Sequence, residues 1–110
     1  MIKYLEKNFD EEIANKKVLV DFFAEWCGPC RMQSEVLKEF TDIDVIKVDV
    51  DKFSEIAKQY GIMSIPTLIL FENGKVIKTH TGFMNISLLQ EFIKWIKTMA
   101  TLFFLYQKKD

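Results

Sequence analysis

The sequence predicts an α/β fold in which a central mixed β-sheet of about five strands is flanked on both faces by about four helices. Three observations carry that reading. Short apolar runs alternate with segments of helical periodicity; Val18 to Phe23 is too short and too continuously apolar for an amphipathic helix; and Asn73-Gly74 separates two strand-like runs. In chain order, Ile2 to Tyr4 suits a short edge strand. Asn8 is placed to cap a helix whose first turn holds Asp10, Glu11 and Glu12, and Lys16 and Lys17 end it. Val18 to Phe23 then forms a buried central strand. A helix from about Pro29 to Phe40 accepts Pro29 in its first turn and carries Met32, Val36, Leu37 and Phe40 as its apolar stripe. Val45 to Val50 is the next strand. Phe53 to Tyr60 is a short helix with Ile56, Ala57 and Tyr60 on one face, stopped by Gly61 in a left-handed C′ position. Thr67 to Phe71 and Val76 to Thr81 flank Asn73-Gly74 and are expected to pair antiparallel. The last helix starts near Asn85 or Ser87, where Ser87 and Gln90 have capping-box spacing, and buries Leu89, Phe92, Ile93 and Ile96.

Composition narrows the function. A chain of 110 residues that is 49% apolar supports one ordered core without an internal domain boundary. Its 15 basic and 16 acidic side chains nearly cancel and form no basic block, so no nucleic acid partner is expected. The start, Met1-Ile2-Lys3-Tyr4-Leu5-Glu6-Lys7, shows no signal peptide, and no apolar stretch is long enough to span a bilayer. A cytoplasmic location with no membrane association is therefore the expectation. In a reducing compartment a lone cysteine pair reads as catalytic rather than as a structural staple.

That pair is Cys27 and Cys30, in Trp26-Cys27-Gly28-Pro29-Cys30, directly after the central strand. Two thiols so spaced can close and reopen a disulfide. A strand leading through a turn into a helix places Cys27 at a helix N-terminus, where unpaired N–H groups and the macrodipole favour a thiolate. At such a helix start the first cysteine is expected to face solvent and the second to turn inward. The competing reading is a metal clip, which needs more ligands than two cysteines and the single histidine, His80, readily offer; no metal is expected. His80 itself reads as an exposed strand residue, and Glu25 as a solvated charge that could also tune thiol acidity. Asp21 stands in an otherwise apolar strand, where an ionised carboxylate is costly unless paired and its pKa should rise. A hydrogen-bonded core acid or a frayed strand end would explain it structurally.

The stretches Phe22-Phe23-Ala24-Glu25-Trp26-Cys27-Gly28-Pro29-Cys30, Lys47-Val48-Asp49-Val50-Asp51, Tyr60-Gly61-Ile62-Met63-Ser64-Ile65-Pro66-Thr67-Leu68 and Phe71-Glu72-Asn73-Gly74 resemble the thioredoxin family, in the family's order. The match runs from about Asn8 to Ile96. The resemblance implies the thioredoxin fold over residues 1–99 and a protein-disulfide reductase working through a mixed disulfide. Cys27 is then the nucleophile and Cys30 the resolving thiol; Asp21 matches the buried acid that moves a proton for Cys30, and Lys47 its basic neighbour. It also implies a cis bond at Ile65-Pro66 that faces the disulfide and presents Ile65's backbone to an extended target segment, although Pro is also tolerated at a strand start. Trp26, Gly28, Pro29, Met63, Ile65, Pro66, Gly82 and Phe83 match the family's substrate-binding rim, although core filling is the usual fate of the large apolar ones. Gly82 permits close backbone approach there, and Phe83 is bulkier than expected. No cofactor is bound; electrons come from NADPH through a thioredoxin reductase, the partners being that reductase and disulfide-containing proteins. The Gly28-Pro29 dipeptide, whose Pro removes a backbone donor near the sulfurs, predicts a reductant.

Departures from the family pattern are confined. Glu35 stands where a kinking Pro is frequent, the link to the next strand is short, and Phe23 replaces a second tryptophan, leaving Trp26 and Trp95 as the fluorophores. Residues 100–110 form an apolar extension, with Leu102-Phe103-Phe104-Leu105-Tyr106 at its centre, expected to continue the last helix and pack on a monomeric domain; a partner or dimer contact is the alternative. Two rival functions remain: a secretory oxidase or isomerase domain, against which Gly28-Pro29 and the start of the chain argue, and a non-enzymatic interaction module on the same scaffold.

Overall fold

The computed structural model describes residues 1–94, which run β1 (Ile2–Tyr4), α1 (Phe9–Ile13), β2 (Lys17–Phe23), α2 (Gly28–Glu39), β3 (Asp44–Asp49), α3 (Ser54–Gln59), β4 (Thr67–Glu72), β5 (Lys75–Thr81) and α4 (residues 86–94). The five strands form one sheet in the order β1-β3-β2-β4-β5. β1 and β2 each pair in parallel with β3, whereas β4 is antiparallel to both β2 and β5. This is the mixed sheet of an α/β fold, with β1 at the edge and β2 in the middle. A central strand covered on both faces has no polar side, which is why β2 is buried from Val18 to Phe23.

Alternation along β2 divides the core. Val18, Val20 and Phe22 face a layer that holds Phe9 and Ile13 of α1 and, partly buried, Ile56 of α3 and Tyr60. Leu19 faces the opposite layer, built from Leu37 and Phe40 on the α2 side and Leu89 and Phe92 of α4. Asp21 shares Leu19's face and therefore lies under α2.

Local turn chemistry behaves as its residues dictate. Asn73 (φ 51°) and Gly74 (φ 81°) both take positive φ, the backbone of the tight hairpin turn whose twist suits β4 and β5. Gly61 has φ 64° and ends α3.

Four expectations need correction. α1 stops at Ile13 rather than at Lys16 and Lys17, because Asn15 turns left-handed (φ 59°) and Lys17 already belongs to β2. The hairpin turn secures that early exit: Asn73 N–H donates to the Lys16 carbonyl (2.9 Å) and Gly74 N–H to that of Ile13 (3.1 Å). Asn8 does occupy the cap, but through its backbone in a left-handed conformation, with no side-chain bond. On α2 the inward residues are Cys30, Gln33 and Leu37, spaced i, i+3, i+7, whereas Met32 lies off that face and is exposed. On α4 the cap is Asn85, whose Oδ1 accepts the Leu88 N–H (2.9 Å); Ser87 is already inside the helix, so the Ser87–Gln90 box does not form the cap. Leu89 and Phe92 are buried as expected, while Ile96, Trp95 and the extension 100–110 lie outside the described residues. No helix among the described residues is long and apolar enough to cross a membrane.

Candidate active site

β2 ends at Phe23, and a short turn delivers Cys27 to the N-cap of α2. There it forms a disulfide with Cys30, the two Cα atoms 5.2 Å apart. Sγ of Cys27 accepts the Cys30 backbone N–H (3.2 Å), so the sulfur itself satisfies one of the helix's orphan donors. Pro29 sits in the first turn, where its missing N–H costs nothing and offers the sulfur no further donor. The expected contrast between an outward Cys27 and an inward Cys30 is absent from the disulfide form. Both are buried, at 5% and 2% exposure, because Phe23, Ala24 and Ile65 pack around them.

The Ile65-Pro66 bond is cis, and the Ile65 carbonyl oxygen lies 3.8 Å from Cys27 Sγ. The Pro66 carbonyl accepts the Gly82 N–H (2.8 Å), which ties residues 82 and 83 to the same corner. Gly82 has φ 103°, a conformation other residues rarely adopt, and a Cβ built there would meet nothing within 4 Å. The need for glycine is therefore conformational within this chain, and the space above it is open. Trp26, Met63 and Phe83 are exposed, at 69%, 94% and 37%, and Gly28 and Pro29 are exposed beside the sulfurs. Core filling is thereby excluded for the three large side chains; Ile65 is half-buried and Pro66 buried.

Behind the disulfide lies a buried charge pair. Asp21 and Lys47 face each other across the β2–β3 register, at 0% and 3% exposure, with Lys47 Nζ 3.5 Å from Asp21 Oδ2. Neither Asp21 carboxylate oxygen has a hydrogen-bond partner among the described residues. Burial pushes the Asp21 carboxyl up to about 6, and the Lys47 charge holds it back from rising further. His80, expected on an exposed strand, is half-buried, its ring edge-on to Phe92 at 6.3 Å and away from the sulfurs on β5.

Several residues escaped the sequence reading. Ser34 accepts a 2.6 Å hydrogen bond from Lys47 Nζ. Gln33, fully buried, grips the Met84 backbone from both sides: Nε2 donates to its carbonyl (3.0 Å) and Oε1 accepts its N–H (2.7 Å). Asp51 accepts the Trp26 indole N–H (2.8 Å), and Arg31 donates to the Glu25 carbonyl (3.2 Å). The available signal was positional: Gln33 and Ser34 follow Cys30 at i+3 and i+4, so polar side chains share the face of a buried cysteine.

A disulfide at a helix start can trade its own bond for one in another molecule, and the exposed rim of Trp26, Met63 and Phe83 leaves room for an extended chain beside it. The molecule is a thiol-disulfide oxidoreductase. A family model described as Thioredoxin matches residues 1–95. A thioredoxin of Bacillus subtilis (strain 168) is 40% identical over 98 residues, covering 84% of this chain and 94% of that protein. One from Alicyclobacillus acidocaldarius subsp. acidocaldarius is 49% identical over 84 residues, covering 71% and 80%. The structure of a mutant thioredoxin from Halobacterium salinarum NRC-1 superposes with a TM-score of 0.77 at 36% identity, covering 86% of this chain and 89% of that one. The chain belongs to the thioredoxin family and is a protein-disulfide reductase that acts on disulfide-containing proteins and needs no bound cofactor.

Proposed function

We propose that reduction proceeds in two exchanges with separate tasks for the sulfurs. The Cys27 thiolate attacks one sulfur of a target disulfide; that S–S bond breaks, a mixed disulfide forms, and the departing target thiolate takes up a proton. Cys30 then gives its proton towards Asp21 and attacks Cys27 Sγ, closing the Cys27–Cys30 disulfide and releasing the second target sulfur. The target gains two electrons and the protein loses two. Electrons return from NADPH through a thioredoxin reductase, and the cycle runs in the cytoplasm. Asp21 is suited to its part because a carboxyl held near 6 can accept and return a proton near neutral pH, with Lys47 steadying its ionised form.

Targets are held by Trp26, Gly28, Pro29, Met63, Ile65, Pro66, Gly82 and Phe83. The backbone around Ile65 and Gly82 pairs with an extended segment while the exposed rings and Met63 cover its side chains. The bulk of Phe83 narrows the choice of target.

The observation that supports this reading most is that Cys27 Sγ caps α2 while Ile65's carbonyl lies beside it. NADPH-dependent insulin reduction with a thioredoxin reductase tests it. Cys27→Ser lowers the rate to the uncatalysed background; undiminished reduction ends the assignment. Equilibration with glutathione places the potential below the glutathione couple if Gly28-Pro29 makes a reductant, and above it if the protein is an oxidase.

A further inference from the structure

Lys47 has its strongest bond on the wrong side for a simple ion pair. Its Nζ stands 3.5 Å from Asp21 Oδ2, too far for a close ammonium–carboxylate bond, whereas it donates to Ser34 Oγ at 2.6 Å. An ammonium and a carboxylate free to choose close to about 2.7–2.9 Å. Ser34 follows Cys30 at i+4 on α2, so the hydroxyl projects from the face that carries the resolving sulfur. Cys30, Ser34, Lys47 and Arg31 line one cavity of about 210 Å³, together with Tyr4 and Phe23, whose rings lie 5.4 and 4.6 Å from Nζ. The ammonium is thus held by a hydroxyl and two aromatic faces, and the carboxylate beside it has no closer partner among the described residues than Lys47 at 3.5 Å.

We propose that Ser34 is a positioning residue that holds Lys47 off Asp21, leaving the carboxylate free to take the proton of Cys30. The inference rests on the reading of Asp21 as proton carrier and deepens it. Among the described residues, Lys47 stands across the register from Asp21 on β3 and Leu68 across it on β4, and the cavity that Lys47 lines is also walled by Cys30 and Ser34 of α2, Glu25, Arg31 and Tyr4. Among the described residues only Lys47 combines burial with a positive charge, so its position sets how strongly the ionised acid is favoured. Removing the hydroxyl lets the flexible lysine stem close the gap, and a carboxylate that is directly hydrogen-bonded is a poorer proton acceptor.

The test follows the Asp21 carboxyl by carbon-13 NMR in the oxidised protein, where neither cysteine titrates, alongside the pH profile of disulfide reduction. Ser34→Ala is expected to lower the Asp21 midpoint by about half a pH unit or more, a change of roughly threefold in proton affinity. Ser34→Thr, which keeps the hydroxyl, restores it, and in a Lys47→Met background Ser34→Ala has no further effect. An unmoved or raised midpoint in Ser34→Ala, or the same shift in the Lys47→Met background, overturns the proposal. A lowered midpoint with an unmoved reduction profile supports the hold of Ser34 on Lys47 and instead overturns Asp21 as the proton carrier.

Discussion

The two faces of the sheet are built from the same strands and spend their residues differently. Under α1 and α3 the filling is aromatic and apolar: Phe71 packs edge-on to Phe9 and Tyr60 at 5.7 and 5.4 Å, and Tyr60 meets Phe22 at 6.3 Å. Under α2 and α4 the same strands insert Asp21 and Lys47, both desolvated, with the carboxylate short of hydrogen bonds. Both faces bury an apolar layer, but the second also gives up stability to keep a desolvated carboxylate, the proton acceptor of the mechanism proposed above. Which residues do which follows from strand parity alone, since Asp21 stands between Val20 and Phe22 yet points away from both.

If that division holds, the largest stability loss comes from the aromatic face and leaves chemistry alone. Phe71→Ala should destabilise by about 3–5 kcal/mol, the cost of emptying a packed aromatic site. Urea unfolding measures it. Insulin reduction per folded molecule should be unchanged, and a matching loss of rate would show that the two faces are coupled.

Asp21→Asn should move stability the other way. The folded carboxyl sits at about 6 against 3.8 for an ordinary aspartate, so the native state binds the proton more tightly than the unfolded chain. Its contribution is therefore fully present below about pH 4 and is lost as pH rises through about 6, the loss reaching about 3 kcal/mol at pH 7. Asparagine mimics the protonated acid. The variant should thus gain about 3 kcal/mol at pH 7 and almost nothing at about pH 4, while its second exchange step slows. A variant no more stable at neutral pH, or one whose reduction profile is unchanged from about pH 6 to 9, breaks the comparison.

The aromatic face was also the more legible one. Val18 to Phe23 announces a buried strand by composition, and Gly61 and Asn73-Gly74 announce their turns by backbone permissiveness, because these signals are local. The reactive pair was legible for the same reason: spacing and the preceding strand sufficed. What escaped was set by contacts distant in sequence. α1 ends where the β4–β5 turn grips Ile13 and Lys16, and no helix signal near Lys16 reports that. Apolarity nominates Met32 for the inner face of α2, whereas Gln33 turns inward to bind Met84, 51 residues away. Ser34 lay hidden likewise, its partner Lys47 being on another element.

Gln33→Ala sharpens the contrast on the α2 face. It strands the buried N–H and carbonyl of Met84, at about 1–3 kcal/mol, and releases the segment that follows Gly82 and Phe83. The expected signature is a split. KM for insulin rises several-fold if the rim proposed to hold targets is displaced, while reduction of a small synthetic disulfide is unaffected. Equal losses on both substrates would mean that Gln33 only supports the fold.

The smallest effect is expected at the rim itself. Trp26 is 69% exposed, so its hydrogen bond to Asp51 competes with water and contributes less than a buried one. Asp51 is held independently, its N–H donating to Asp49 Oδ1 at 2.9 Å, and β3's end is further tied to β2 by Val50 N–H on the Phe23 carbonyl. Trp26→Phe therefore costs about 1 kcal/mol or less, a melting shift of a few degrees. It keeps an apolar ring beside Cys27, so insulin reduction should fall only slightly. A loss of several kcal/mol would mean that the indole–Asp51 bond clamps the turn leading to the disulfide, and that stability and chemistry meet at the rim instead of being separated by the sheet.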